Sequence, residues 1–256
     1  MHLRLSPETI SGLKSDCRTY KAIGLCALFL TVSASMMMTS CRKYDGSKAA
    51  DNRQSWIKSL NDSISVLTEL NTINADSINR LRAEVSSQLN DFTTIDNPRE
   101  VEPYYIYSPF KSGYPLTSTG VAVRILKNES LEVVAAATRP FTAISVRGGG
   151  ASYTTPVVPP DQALNYTANG LTTVSFTGSV ADSITDIIAT AGKRTSVEYL
   201  NPGVVASYSV TPEIERLFKS TNTLYDNQQR LHRLEQAVSI NARKIELLKI
   251  TLHNQN

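Results

Sequence analysis

At 256 residues, with 26 Lys and Arg against 23 Asp and Glu, the chain has room for one ordinary domain plus extended parts, or for two small domains. The first 40 residues hold four of the basic and two of the acidic residues, so the remaining 22 and 21 nearly cancel. That balance argues against a nucleic-acid binder, which concentrates positive charge on one face.

The first feature in chain order is the long apolar stretch LCALFLTVSASMMMTSC, residues 25–41, which ends on a cysteine. Its apolar part, Ala22 to Met38, is near the lower limit for crossing a hydrocarbon core of roughly 30 Å. Lys14, Arg18 and Lys21 precede it and the small residues Thr39 and Ser40 follow, which is a secretory signal pattern. Met38-Thr39-Ser40-Cys41 resembles the lipobox of bacterial lipoproteins, with an apolar residue three places before the cysteine and two small residues between. The likeness covers only the first forty or so residues. Met38 stands where that family usually has Leu, and the leader before the apolar run is long. The resemblance implies that residues 1–40 are a signal peptide removed by signal peptidase II and that Cys41 is the lipidation site. The mature protein would then sit in the cell envelope, anchored to a membrane, most simply the outer one. Cys17 and Cys26 leave with the leader, so lipidation also gives the single remaining thiol a role. Each acyl methylene buried contributes about 0.8 kcal/mol, and several chains together hold firmly.

A polar tether, 41–51, leads into a segment with a hydrophobic period of 3.5. One position reads Ile57, Ile64, Asn71, Ile78, Val85, Phe92, and its companion reads Leu60, Leu67, Asn74, Leu81, Gln88. This predicts a coiled-coil helix over 52–96, ended by Asn97-Pro98, because the residue before proline is pushed out of the α region. Asn71, flanked by apolar layers, reads as a residue that sets register. Asp-Ser-Ile occurs at 62–64, 76–78 and 182–184 and resembles the Asp-Ser/Thr-apolar site at which Bacteroidetes O-glycosylate exported proteins. That likeness makes Ser63, Ser77 and Ser183 candidate glycosylation sites, although the heptad alone accounts for Ile64 and Ile78.

From 101 to 210 the pattern changes to short runs rich in Val, Ile, Thr and Tyr: GVAVRIL, LEVVAAA, FTAISVR, LTTVSFTG, DIIATAG and RTSVEYL. Turn-formers such as KNES, RGGG, ANG and NPG separate them, as in an antiparallel sandwich or barrel. The stretch 182–200, DSITDIIATAGKRTSVEYL, resembles the closing hairpin of bacterial immunoglobulin-like domains but lacks that family's aspartate. The resemblance implies an immunoglobulin-like sandwich and no ligand. The aromatics of EPYYIYSPF, 102–110, read as a cap on the sheet's open end, with an exposed ledge for a sugar or partner as the other reading. Gly148-Gly149-Gly150 lacks the Lys and helix start of a phosphate loop and reads as a turn.

Thr211-Pro212-Glu213 starts a second helix, 212–253, with Pro in its first turn. Its seam runs Leu217, Leu224, Leu231, Val238, Ile245, Leu252, with companions Ser220, Asn227, Leu234, Asn241, Leu248.

Chemistry is sparse. His232 and His253 both fall on the second helix, so the middle has no histidine for Ser-His or Cys-His catalysis and no His/Cys cluster for a metal. Its acids, among them Glu102, Glu129, Glu132, Asp161, Asp182, Asp186 and Glu198, are scattered in sequence. The expectation is therefore an α+β chain, long coiled-coil helices flanking an all-β, immunoglobulin-like sandwich, without cofactor or metal and without catalysis. Its role is a lipid-anchored stalk that presents a head to a protein or glycan partner. A homo-oligomeric fibre or adhesin, and an envelope glycan-handling enzyme or its subunit, are the alternatives. An enzyme would require carboxylates gathered in a cleft of the head.

Overall fold

The computed structural model describes residues 46–96, 103–113, 116–158, 170–191 and 195–254. The leader, Cys41, Asn97-Pro98, Glu102 and Asp161 lie outside the described residues. Among the latter, the order is α1 (Gly46–Leu89), β1 (Phe92–Ile95), β2 (Tyr104–Tyr107), a 3-10 turn (Ser108–Gly113), β3 (Gly120–Leu126), β4 (Leu131–Ala137), β5 (Ala143–Gly148), β6 (Ala151–Thr154), β7 (Thr172–Thr177), α2 (Gly178–Thr190), β8 (Ser196–Asn201), β9 (Gly203–Ser209) and α3 (Pro212–His253). The chain divides after Ile57 into two units; the sheets, α2, α3 and α1 from Lys58 onward belong to the second.

The strands form two antiparallel sheets, β1-β2-β3-β4-β7 and β6-β5-β8-β9. Val121, Val123 and Ile125 of β3 lie opposite Ala135, Val133 and Leu131 of β4, and Val133 and Ala135 in turn oppose Phe176 and Val174 of β7. Every residue of β4 is buried, so this strand reads as a continuous apolar run, with both sheet faces covered. Gly149 and Gly150, both at positive φ (58° and 86°), make the two-residue turn between β5 and β6. Such a turn matches the strands' own twist and requires residues that tolerate this backbone.

A buried hydrogen bond ties the sheets together. Tyr199 of β8 donates its hydroxyl to the Gly120 carbonyl of β3 at 2.6 Å, and the Phe141 ring meets the Tyr199 ring edge-on at 4.9 Å. Burial pushes the Tyr199 hydroxyl far above the usual tyrosine range, so it stays a donor. In the other sheet Arg124 and Glu132, cross-strand partners on β3 and β4, form an ion pair with each side chain 11% exposed. The Arg124 guanidinium also lies 4.1 Å from the centre of the Tyr104 ring.

Two expectations are corrected. Residues 182–190 are helix, not one arm of a closing hairpin, so the middle is not all-β. The β-branched composition of DSITDIIAT suggests strand, but Ala181, Ile184, Thr185 and Ile188 recur at helical spacing and fill one buried face. The first helix stops at Leu89 rather than near Asp96. Asn90 and Asp91 donate backbone N–H bonds to Ser87 and Gln88 in a closing turn, and Phe92 leaves the heptad to pair with Tyr107 across β1 and β2. Phe-Thr-Thr-Ile favours strand, and a sheet edge offers its backbone partners that a helix end lacks.

Along α1 the residues Leu60, Ile64, Leu67, Asn71 and Asn74 are half-buried and Ile78, Leu81 and Val85 buried, while most residues between them are exposed. On α3 Leu217 and Leu224 are buried and Leu231, Leu234, Val238, Asn241, Ile245 and Leu248 half-buried. Arg82 pairs with Glu235 at 2.6 Å, and the Asn227 amide donates to Glu84 and Gln88 at 2.9 and 3.2 Å. Residue numbers rise along one helix as they fall along the other, so the two run antiparallel. Thr211 caps α3 by accepting the Ile214 N–H at 3.4 Å. No helix of the described residues is long and apolar enough to cross a membrane.

Candidate functional site

α2 and α3 pack against each other and leave between them a cleft of about 450 Å³. α2 supplies Asp182, Ser183 and Asp186, one turn apart on a single face. α3 supplies Asn222, Tyr225, Asp226, Gln229 and Arg233 at spacings of three and four. Leu131 of β4 floors the cleft, and the Gln229 amide reaches the Glu129 carbonyl of the β3–β4 turn at 3.3 Å, fastening the helix there.

Three carboxylates thus converge. Burial raises the pKa of Asp182 above the ordinary aspartate value, the Tyr225 hydroxyl bonded to it pulls it back, and Asp186 adds to the rise. Burial also raises Asp226, helped by Asp186 and opposed by Arg233. Tyr225 is raised in turn by burial and by the Asp182 charge. These groups make a negative cleft suited to a cationic or hydrogen-bond-donating group. Asp182 and Asp226 are driven in the same direction, whereas an acid and base pair is marked by values driven apart. The Ser183 hydroxyl donates to the Ser179 carbonyl at 2.8 Å, an arrangement of helix backbone rather than of a nucleophile with its base. Among the described residues no group of three or more His, Cys, Asp or Glu is placed to hold a metal ion.

A pH dependence follows. Both carboxyls take up protons at higher pH in the fold than in the unfolded chain, where the value is near 3.8. Their contribution to stability is complete below that pH and lost as pH rises through the folded values. Asp182, Asp186 and Asp226 are all exposed, so water screens much of their repulsion; Asp226→Asn, which removes one of these charges, is expected to raise Tm by no more than about 1 °C at pH 7 and to leave it unchanged at pH 3. Thermal unfolding followed at both pH values tests this; an equal shift at both would remove the electrostatic cause.

Of the residues singled out in the sequence, Cys41 lies outside the described residues. Ser63 is exposed on α1 and donates to the Ser59 carbonyl at 2.8 Å; Ser77 is half-buried and donates to the Ile73 carbonyl at 3.1 Å. Only Ser183 borders the cleft. The aromatic segment is a strand of the sheet rather than an exposed ledge: Tyr104 and Ile106 are buried, Tyr105 and Tyr107 half-buried, and Tyr107 packs on Phe92 at 5.7 Å. His232 is exposed and hydrogen-bonds with Gln236 one turn along its own helix at 2.8 Å.

Sequence reasoning missed Tyr225 and Asp226 as partners of Asp182, and Arg233 as a partner of Asp226. On a heptad helix they read as solvated positions, and their partner segment read as strand. No family model, curated protein or solved structure matches this chain.

Proposed function

We propose that this chain is a non-catalytic, lipid-anchored protein of the bacterial cell envelope. Its two long helices form an antiparallel coiled-coil stalk, and its two-sheet head meets a protein or glycan partner. The observation that carries the stalk is the set of side-chain bonds within one chain, Arg82 to Glu235 and Asn227 to Glu84 and Gln88. They favour a hairpin over a fibre in which each helix pairs only with its copy. Asn227 bonds residues on either side of Val85 and so stands at its level. The same register brings Asn71 level with Asn241, and Asn71 Oδ1 is buried without a protein partner. A polar rung inside an apolar seam lowers stability but penalises every shifted register. The lipobox supports the anchor, and Cys41 stands five residues before Gly46, the start of α1.

The intact mass of protein extracted from membranes tests the anchor. The expected mass is that of residues 41–256 plus acyl chains, with any sugar on Ser63, Ser77 or Ser183 adding to it. Cys41→Ala is expected to keep its leader and carry no acyl mass. A wild-type chain that begins upstream of Cys41 and is recovered without lipid would end this reading.

One observation favours the second reading, a glycan-handling enzyme: the converging Asp182, Asp186 and Asp226. Loss of a measured glycan turnover in Asp182→Asn would support it over the interaction role.

A further inference from the structure

Farther along the helix pair lies an exposed apolar strip. Val66 and Ile73 of α1 are 56% and 55% exposed, Ile240 and Leu247 of α3 53% and 64%, and Leu70 is also exposed. In the antiparallel register set by Asn227 and Val85, Ile73 stands level with Ile240 and Val66 with Leu247. Heptad geometry assigns these residues to one edge of the pair. Arg82 and Glu235 bridge the opposite edge. That opposite edge also carries Ile214, Phe218 and Thr221, which are buried against the head. On α3 the strip lies one and two heptads beyond Arg233, which borders the head's cleft; its central positions hold Ser63, Leu70 and Ser77 of α1 and Ala237 and Lys244 of α3.

Its two rims carry opposite charge. Asp62, Glu69 and Asp76 run along the outer flank of α1, all exposed; on α3 Arg243 holds the equivalent flank position at the level of Glu69, with Lys244 beside it toward the centre of the strip. Two face-to-face arrangements have two-fold symmetry. With the axis across the helices, α1 covers the partner's α1 and the acidic rims meet. With the axis along the stalk, α1 covers the partner's α3. Glu69 then meets Arg243 and Lys244, Ile73 meets Ile240, and both chains point the same way. Like charges held together are destabilising, so complementarity selects the second arrangement.

We propose that this strip binds a second copy of the chain, giving a parallel two-fold dimer whose stalks form a four-helix bundle. The inference rests on the hairpin and the membrane anchor of the proposed function. The apolar rungs span eight residues on each helix, about 12 Å, so even with the flanking positions each copy buries at most about 400 Å², about 800 Å² in total. That is below the total of about 1,200 Å² typical of stable complexes, so the dimer is weak in solution and gains from confinement on a shared membrane.

The test uses full-length protein in membranes, with Ile73→Cys and Ile240→Cys made separately and one copy tagged. Oxidation of the mixture is expected to give a mixed disulfide dimer, with Ile73→Cys alone giving little. Leu247→Glu in both copies is expected to lower the mixed dimer about tenfold, because it buries an unpaired carboxylate. A separate chain carrying Arg82→Cys and Glu235→Cys is expected to be closed into an internal bond by a bifunctional thiol cross-linker long enough to replace the Arg–Glu pair, reporting the hairpin itself. If that bond closes and no mixed dimer forms, or Ile73→Cys self-dimers dominate, the dimer is overturned and the hairpin stands. If the internal bond also fails, both fall.

Discussion

Glu132→Ala is expected to lower stability by about 3–5 kcal/mol, the cost of leaving a buried charge without its partner. Glu132 and Arg124 face each other across β3 and β4, and Glu132 is only 8% exposed. Arg124 lies over the Tyr104 ring, so its aliphatic part and its charge are both held inside the sheet's covered face. Water cannot readily replace the lost carboxylate there. For a chain of this size the loss corresponds to a fall in Tm of about 8–15 °C. A double variant, Arg124→Met with Glu132→Leu, is expected to recover most of the loss, since a buried ion pair and an apolar pair of similar volume are often equivalent. Thermal unfolding of the three chains decides it. A single-variant loss under about 1 kcal/mol would mean that the pair behaves as an exposed one.

Phe141→Ala is expected to cost a similar amount, about 3–5 kcal/mol, by a different mechanism. Phe141 is 1% exposed and its ring meets Tyr199 edge-on, while the Tyr199 hydroxyl reaches across to Gly120 of the other sheet. Removing the ring leaves a cavity at the junction of the two sheets and also forfeits the aromatic contact, about 0.5–1.5 kcal/mol. Urea unfolding should show a lower midpoint with the slope unchanged. Phe141→Leu, which refills most of the volume, is expected to lose much less. If alanine and leucine lose equally, the packing account of this junction is wrong.

Both substitutions lie in the head, where local sequence was an incomplete guide. GVAVRIL, LEVVAAA and LTTVSFT announce strands because each needs only a pleated, half- or fully buried surface for its β-branched side chains. DSITDIIAT has the same composition and becomes α2. Its Ile and Thr residues fit a strand and a helix face alike, and the arbiter is whether a neighbour covers positions 181, 184 and 188; here the packed core does so. Phe92–Ile95 shows the reverse. The heptad carries Phe92 smoothly, yet β2 offers its backbone a ladder and takes the segment from the helix.

What the amino-acid order determined by itself was periodic. A repeat of 3.5 residues over many turns makes a stripe, and a stripe must be covered, so Ile64, Leu67, Leu81, Leu231 and Leu234 all turn inward whatever covers them. The start of α3 was equally local, since Thr211 and Pro212 meet the needs of a helix end within one turn. Only the tertiary structure decided which helix lies on which, because Arg82 and Glu235 are 153 residues apart and no local pattern links them. The carboxylate cleft is of the same kind. Asp182 and Asp226 become neighbours only when α2 and α3 pack, since proximity between distant segments arises from burial of their other faces rather than from any property of the acids themselves.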